Sequence, residues 1–109
     1  MSVLLGRDQS QESPGRIVSP SEVDVLRVAL GRAVRQFRAI AGASQEGLGF
    51  AAQLHRNYVG AIERGEINPT LRVLCKVAYG LRVPPSDLLV LAERLAVERP
   101  PTRTGGGAR

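Results

Sequence analysis

A chain of 109 residues, of which 43% are hydrophobic, is long enough to form one domain with a modest core and too apolar to be wholly disordered. Its net charge of +5 favours a polyanionic partner, such as nucleic acid or an anionic membrane surface. One cysteine and one histidine exclude an internal disulfide and a zinc site of the usual four-ligand kind, and no apolar run is long enough to span a membrane.

The first predicted helix follows a segment without helical period. Residues 1–18 mix Gly, Ser, Gln, Pro and charged residues, so we expect a flexible N-terminal arm. Ser19, Pro20 and Glu22 then form a helix start: a serine N-cap, a proline at the first helical position and a glutamate three residues after the cap. Apolar residues at three- and four-residue steps predict a long amphipathic helix ending at Gly42: Val23, Leu26, Leu30, Ala33, Val34, Phe37 and Ile40.

The stretch 44–65 predicts two short helices joined by a tight turn. The first opens at Ser44, a good N-cap, and has one apolar face, formed by Leu48, Ala51 and Ala52. The second helix covers residues 55–64 and has a narrow apolar stripe of only Val59 and Ile62. Its remaining face is too polar for a core helix and must serve another purpose.

Two further helices complete the predicted domain. The fourth starts at either Asn68 or Thr70, which compete as N-cap, and Cys75 lies beside its apolar stripe, where we expect a partly buried thiol. The stripe consists of Leu71, Leu74, Val77, Ala78 and Leu81. The fifth helix carries Leu88, Leu91, Ala92 and Leu95 on one face, with Leu89 beside it. Residues 98–109 are rich in Arg, Pro, Thr and Gly, and we expect a disordered tail.

Five helices without a convincing strand predict a compact all-α domain over residues 19–97. Within it, SQEGLGFAAQLHRNYVGAIERGEINPTLRVLCKVAYGL resembles the lambda-repressor/Cro-like helix-turn-helix family, of the xenobiotic-response-element type. The run Leu-His-Arg-Asn-Tyr also resembles the small controller proteins of restriction–modification systems. The resemblance covers residues 34–89 and implies that the helix at 55–64 enters the major groove of DNA.

The polar face of that helix suits base contacts. At about 100° per residue, Val59 and Ile62 point inward, so the opposite side faces outward and Arg56 projects from the N-terminal end. Arginine can donate twice to guanine, asparagine can pair twice with adenine, and small residues allow close approach. We therefore predict base contacts from Arg56, Asn57, Gly60 and Ala61. Alternatively, Asn57 is simply solvated and Gly60 serves helix packing.

Other residues suit the DNA backbone or the support of the motif. Arg64 lies at the far end of the helix, Tyr58 on its flank and Asn68 in the following loop, so we predict that they contact phosphates. The resemblance adds Gln45, the family's phosphate-contacting glutamine at the N-terminus of the preceding helix. It also implies a buried ion pair between Arg38 and Glu63.

Three residues depart from the family pattern. Gln53 occupies the turn where glycine is common, and a left-handed conformation there would cost roughly 1–2 kcal/mol. Gly47 and Gly49 weaken the first helix of the pair, each by about 1 kcal/mol relative to alanine. Close approach to the next helix would explain Gly49, whereas Gly47 has no evident reason.

Specific binding by so short a helix usually requires a symmetric pair of subunits. The fifth helix supplies more leucine than one small core needs. All four leucines could fill the core, but we favour a division in which some pack inward and some form a twofold interface. The candidate interface residues are Leu88, Leu89, Leu91 and Leu95.

The resulting hypothesis is a cytoplasmic, dimeric, sequence-specific regulator of transcription that binds double-stranded DNA. We expect no metal or other cofactor and no membrane partner. An enzyme is not expected, because no paired carboxylates, nucleophile–base set or metal cluster is visible. Two alternatives remain: an antitoxin-like protein that mainly binds another protein, and an adaptor that bridges proteins without reading DNA.

Overall fold

The computed structural model describes residues 17–98, which form five α-helices and no strand. The helices are α1 (Val23–Ala41), α2 (Gln45–Ala52), α3 (Arg56–Glu63), α4 (Leu71–Leu81) and α5 (Pro85–Glu98). The all-α, five-helix prediction is confirmed. Apart from Ile17, Val18 and Glu98, the predicted arm (1–18) and tail (98–109) lie outside the described residues. None of the five helices is long and apolar enough to cross a membrane.

The predicted start signal at Ser19 opens a 3₁₀ turn that leads into α1, and α1 ends at the predicted stop. A short 3₁₀ turn, Pro20–Glu22, precedes it, and the backbone N–H of Ser19 donates to the Glu22 carboxylate at 3.2 Å. The helix ends at Gly42, whose φ of 71° is the left-handed conformation that glycine adopts without strain. Ile40, predicted as apolar face, is 82% exposed because the apolar period runs past the part of α1 that other helices cover.

The core lies where α1 packs on α5 and α3, and where α2 packs on α3 and α4. Its fully buried side chains are aliphatic, which fits a sequence with few aromatic residues. The buried hydrophobic residues are Ala29, Leu30, Ala33, Val34, Leu48, Ala52, Val59, Ile62, Leu74, Val77, Ala78, Leu81, Leu88, Ala92 and Leu95. This core holds α2 and α3, the central pair, against the rest of the domain.

The turn between α2 and α3 is tight. Gln53 ends α2 with φ 61° and ψ 45°, so it does adopt the left-handed conformation. At Gly49, an added Cβ would lie 2.5 Å from the carbonyl oxygen of Leu54, which leaves no room for a side chain. The predicted reason for Gly49, close approach of the two helices, is thus confirmed. At Gly47 the nearest atom is the Ser44 hydroxyl at 3.3 Å, so no comparable constraint requires glycine.

Helix α4 differs from its prediction on one side. Thr70 is its N-cap: the threonine hydroxyl accepts a hydrogen bond from the N–H of Val73 at 3.1 Å. Leu71 is 75% exposed and Cys75 is exposed, although both were expected to be at least partly buried. The other four residues of the predicted stripe, Leu74, Val77, Ala78 and Leu81, are buried, whereas Leu71 and Cys75 lie beyond the surface that neighbouring helices cover.

Candidate nucleic-acid interface

Helix α3 is held at both ends by glycine contacts. On α1, Gly31 packs its Cα directly against the C-terminal end of α3: an added Cβ would clash with the carbonyl oxygen of Ile62 and lie 2.6 Å from that of Glu63. At the other end, an added Cβ on Gly49 would lie 3.2 Å from the backbone nitrogen of Arg56. Gly31 was not predicted as part of the site, although a glycine inside a helical pattern is a signal for such a close contact.

The N-terminus of α3 carries its own cap. His55 has an extended backbone, and its Nδ1 accepts a hydrogen bond from the backbone N–H of Asn57 at 3.0 Å. This satisfies one of the amides that have no partner within the helix. The side chains of Arg56 and Asn57 are exposed on the first turn.

The last residue of α3, Glu63, has a buried carboxylate. The Glu63 side chain is fully shielded from solvent and receives two hydrogen bonds from Arg38, at 2.6 Å from Nε and 3.0 Å from Nη2. The side-chain amide of Gln45 donates to the same carboxylate at 2.9 Å. Arg38 also donates to the carbonyl oxygen of Ala43 at 2.9 Å. This cluster therefore ties α1, the loop after it, α2 and α3 together.

The surroundings of Glu63 keep it ionised. Burial by itself raises the pKa of this carboxyl, but hydrogen bonds from Arg38 and Gln45, with the charges of Arg38 and Arg35, outweigh burial and hold the pKa below its ordinary value. The hydrogen bond to Glu63 in turn raises the pKa of Arg38. Arg35 stands 3.6 Å from the carboxylate and is mostly exposed, so it contributes charge rather than a close hydrogen bond.

The four predicted base-contact residues do not share one environment. Arg56 and Asn57 are exposed, and Ala61 is half-buried. Gly60 is buried: a Cβ added there would lie 3.0 Å from Nη1 of Arg64 and 3.4 Å from Oε1 of Gln45. A base contact from Gly60 therefore requires those two side chains to move aside.

The two arginines of this surface carry acidic neighbours. Arg64 forms a two-point ion pair with Glu66, at 2.7 Å from Nε and 3.1 Å from Nη2, and this hydrogen bonding raises the pKa of Arg64 and lowers that of Glu66. Arg56 reaches Glu46 of α2 at 3.4 Å. Sequence reasoning missed both glutamates as partners, although the two-residue spacing of Arg64 and Glu66 offered a signal.

The other residues predicted to contact phosphates lie on or next to α3. Tyr58 is half-buried and packs against the core, Gln45 is half-buried on α2, and Asn68 is exposed in the loop after α3. The structure therefore brings Gln45 and Arg64 together over Gly60, with Arg56 and Asn57 at the opposite end of α3. Between residues 17 and 98, no group of three or more histidine, cysteine, aspartate or glutamate residues is arranged to hold a metal ion.

A family model described as a helix-turn-helix domain matches residues 29–101, about two thirds of the chain. The chain belongs to the helix-turn-helix family. The match covers α1 from residue 29 onward and the whole of α2 to α5, including the central pair and the cluster around Glu63.

Known proteins similar to the chain are regulators. It is 43% identical over 65 residues to control protein C.BamHI of Bacillus amyloliquefaciens. These 65 residues are 59% of this chain and 80% of C.BamHI. The restriction-modification controller protein C.AhdI of Aeromonas hydrophila has a TM-score of 0.56 and 39% identity over 61% of this chain and 97% of its own. The clp gene regulator ClgR of Corynebacterium glutamicum has a TM-score of 0.65 and 32% identity to the chain. The alignment covers 67% of this chain and 78% of ClgR.

These similarities confirm the resemblance to lambda-repressor/Cro-like, xenobiotic-response-element-type proteins and to restriction–modification controllers. Members of this helix-turn-helix family are DNA-binding regulators of transcription rather than enzymes. The family thus accounts for a helix whose outward face is polar and whose ends are tightly held.

The four leucines proposed for a dimer interface fall into two groups. Leu88 and Leu95 are 0% and 6% exposed and belong to the core of the single chain, so they are the leucines of the predicted division that pack inward. Leu89 is 36% exposed and Leu91 is half-buried at the edge of the core. Only Leu89 and Leu91 therefore remain as candidates for contact with a second subunit.

Proposed function

We propose that this helix-turn-helix protein is a sequence-specific regulator of transcription that binds double-stranded DNA as a homodimer, with α3 in the major groove. The observation that carries the proposal is the placement of Arg56 and Asn57. Both side chains are exposed on the first turn of a helix that Gly31 and Gly49 hold at its two ends. Side chains on a well-supported helix can discriminate bases because the helix fixes their positions relative to the base edges.

Phosphate contacts would set the orientation of α3. An amide group has two hydrogens, and Gln45 directs one to Glu63, so the other is available for a phosphate at the N-terminus of α2. Arg64 supplies a cation at the end of α3, and Tyr58 and Asn68 supply further polar groups. These contacts position the protein without reading sequence.

Dimerisation would use the exposed side of α5. Leu89 and Leu91 are the two leucines of α5 that the core leaves accessible or partly accessible. A twofold pair would present two copies of α3 to half-sites about one helical turn apart, roughly 10 bp. We place this regulator in the cytoplasm as part of the proposal, and its similarity to C.BamHI and C.AhdI supports a controller-like role.

The deciding experiment is selection of bound duplexes from a random pool. We expect a palindrome whose half-sites are centred about 10 bp apart. Arg56→Ala should flatten the preference at one position of each half-site, by roughly tenfold, since a bidentate arginine–guanine pair discriminates by about 1–3 kcal/mol. Arg32→Ala, on α1 beside α5, is the matched control and should leave the preference unchanged.

Two results would contradict the proposal. An unchanged sequence preference in Arg56→Ala would remove that residue from base recognition. Failure of the wild-type chain to enrich any sequence, together with binding that does not weaken as salt is raised, would favour an adaptor or antitoxin-like protein that works through protein contacts.

A further inference from the structure

A groove of about 700 Å³ lies between the C-terminal end of α2 and the outer side of α4. Ala51 lines it from α2, and Leu71, Cys75 and Tyr79 line it from α4. None of the residues proposed to contact DNA lines this groove. It is therefore a separate surface from the one built around α3.

The α4 side of the groove is an apolar stripe without a partner in the domain. Leu71, Cys75 and Tyr79 follow one another at four-residue steps, which places them along one line of the helix. Leu71 is 75% and Tyr79 is 79% exposed. A second apolar face on a helix whose first face already fills the core is typical of an interaction surface.

A parallel stripe of positive charge borders the apolar one. Arg72 and Lys76 each follow a member of the apolar stripe by one residue, so they too are four residues apart, and both line the groove. Arg82 lines the adjoining groove, which shares Ala51 and Tyr79. The residues that line these two grooves include no aspartate or glutamate.

This charge pattern decides between possible occupants. Two copies of the groove facing each other across a twofold axis would bring Arg72 and Lys76 of both chains together with no acidic group between them. Double-stranded DNA would satisfy the cations but would leave Leu71 and Tyr79 against a hydrated phosphate backbone. An apolar protein surface bordered by acidic side chains would cover the apolar stripe and pair with the cations of the positive one.

We propose that this groove docks an amphipathic helix of a protein partner. The partner helix would place apolar residues at four-residue steps against Leu71, Cys75 and Tyr79, and two acidic residues, also four apart, beside Arg72 and Lys76. The two helices then match in spacing as well as in charge. This second surface goes beyond DNA binding, since it gives the regulator a protein contact that α3 does not use.

Cys75 provides a native reporter, because it is the only cysteine of the chain and is exposed within the groove. The probe is a synthetic helical peptide with leucines at four-residue steps and glutamates at four-residue steps along one edge. We expect it to slow alkylation of Cys75 in the full chain at least tenfold at saturation. A matched peptide with lysine in place of each glutamate should leave the rate unchanged.

Two variants make the test specific. In the double variant Arg72→Glu/Lys76→Glu, the preference should invert, so that the lysine peptide protects Cys75 and the glutamate peptide does not. Tyr79→Ser should weaken binding of the glutamate peptide at least tenfold while preserving the circular dichroism spectrum and thermal unfolding, since this side chain is 79% exposed. The inversion is the result that a nonspecific effect of charge on folding would not produce.

Three outcomes would overturn the proposal. The first is the absence of protection by the glutamate peptide. The second is protection that increases with protein concentration in the absence of peptide, which would assign the groove to a second copy of the chain. The third is equal protection by a random DNA duplex that disappears in Arg72→Glu/Lys76→Glu, which would assign the groove to nucleic acid.

Discussion

The side-chain amide of Gln45 donates to the buried carboxylate of Glu63 at 2.9 Å, and this hydrogen bond joins the start of α2 to the end of α3. Arg38 of α1 holds the same carboxylate through two hydrogen bonds. The group proposed to contact a phosphate is therefore oriented by an acid that belongs to the folded core. Stability of the domain and placement of its DNA-binding groups consequently depend on one cluster.

Replacing Glu63 by glutamine should lower the free energy of unfolding at neutral pH by about 2–3 kcal/mol. The substitution removes the negative charge that Arg38 and Gln45 stabilise, and hydrogen bonds to charged groups contribute about 1.5–3 kcal/mol. Urea unfolding followed by circular dichroism measures the difference. Gln36→Glu, an exposed position on the same helix as Arg38, is a charge-change control and should shift stability by less than about 0.5 kcal/mol.

The same comparison has a defined pH dependence. Because the folded pKa of Glu63 is lowered, its stabilisation is fully present above the unfolded pKa of about 4.3 and is lost as pH falls through the lower folded value. The difference between wild type and Glu63→Gln should therefore be constant from pH 7 to about pH 5 and then shrink in acid. A difference that grows in acid would contradict the assignment of the lowered pKa.

Gly49→Ala should destabilise the domain by about 2 kcal/mol even though alanine favours helices. The added Cβ would press on the Leu54 carbonyl oxygen, a backbone atom that moves only if the turn opens, and overpacking of this kind costs about 1–3 kcal/mol. Gly47→Ala is the matched control on the same helix. There the Cβ meets only the Ser44 hydroxyl at 3.3 Å, so its effect on the urea midpoint should be much smaller. Equal losses in both variants would mean that helix α2, rather than the turn, is the sensitive element.

Glu66→Gln should raise the affinity for DNA by about two- to fivefold, and equally for specific and random duplexes. Glu66 occupies two guanidinium nitrogens of Arg64 and places a negative charge beside the proposed phosphate site. Its removal frees the cation for a backbone contact, which carries no sequence information. Fluorescence anisotropy at two salt concentrations measures the change. Glu93→Gln on α5 makes the same change in charge away from α3 and should have little effect on DNA affinity. An equal gain in affinity in Glu93→Gln would mean that the net charge of the protein, rather than the release of Arg64, causes the effect.

Local signals predicted most of the fold. Capping residues and helical period lie within a few residues of one another, so Ser19, Gly42 and the five helices could be read directly. What escaped prediction depends on neighbouring helices. Ile40 and Leu71 continue an apolar period but lie beyond the surface that another helix covers.

The same distinction applies to the candidate site. The cluster of Arg38 and Glu63 followed from resemblance, since nothing in local spacing joins residues 25 positions apart. Gly31 meets the end of α3 only because α1 crosses it there, and the pairing of Arg56 with Glu46 depends on the angle between α2 and α3. Helix orientation, which one sequence does not encode locally, decides these contacts.

Leu89 and Leu88 are neighbours on α5 that should respond to substitution in opposite ways. Leu88 is fully buried, so Leu88→Ala should lower the free energy of unfolding by about 2–5 kcal/mol. Leu89 is 36% exposed, so Leu89→Arg should leave the monomer folded but weaken the proposed dimer, because a cation would face its own copy across a twofold axis. Sedimentation velocity over a range of concentrations separates the two effects. The Leu89→Arg chain should sediment as a monomer with a native circular dichroism spectrum and lose binding to the full palindrome more than to a single half-site. A Leu89→Arg protein that remains dimeric would move the interface away from this side of α5.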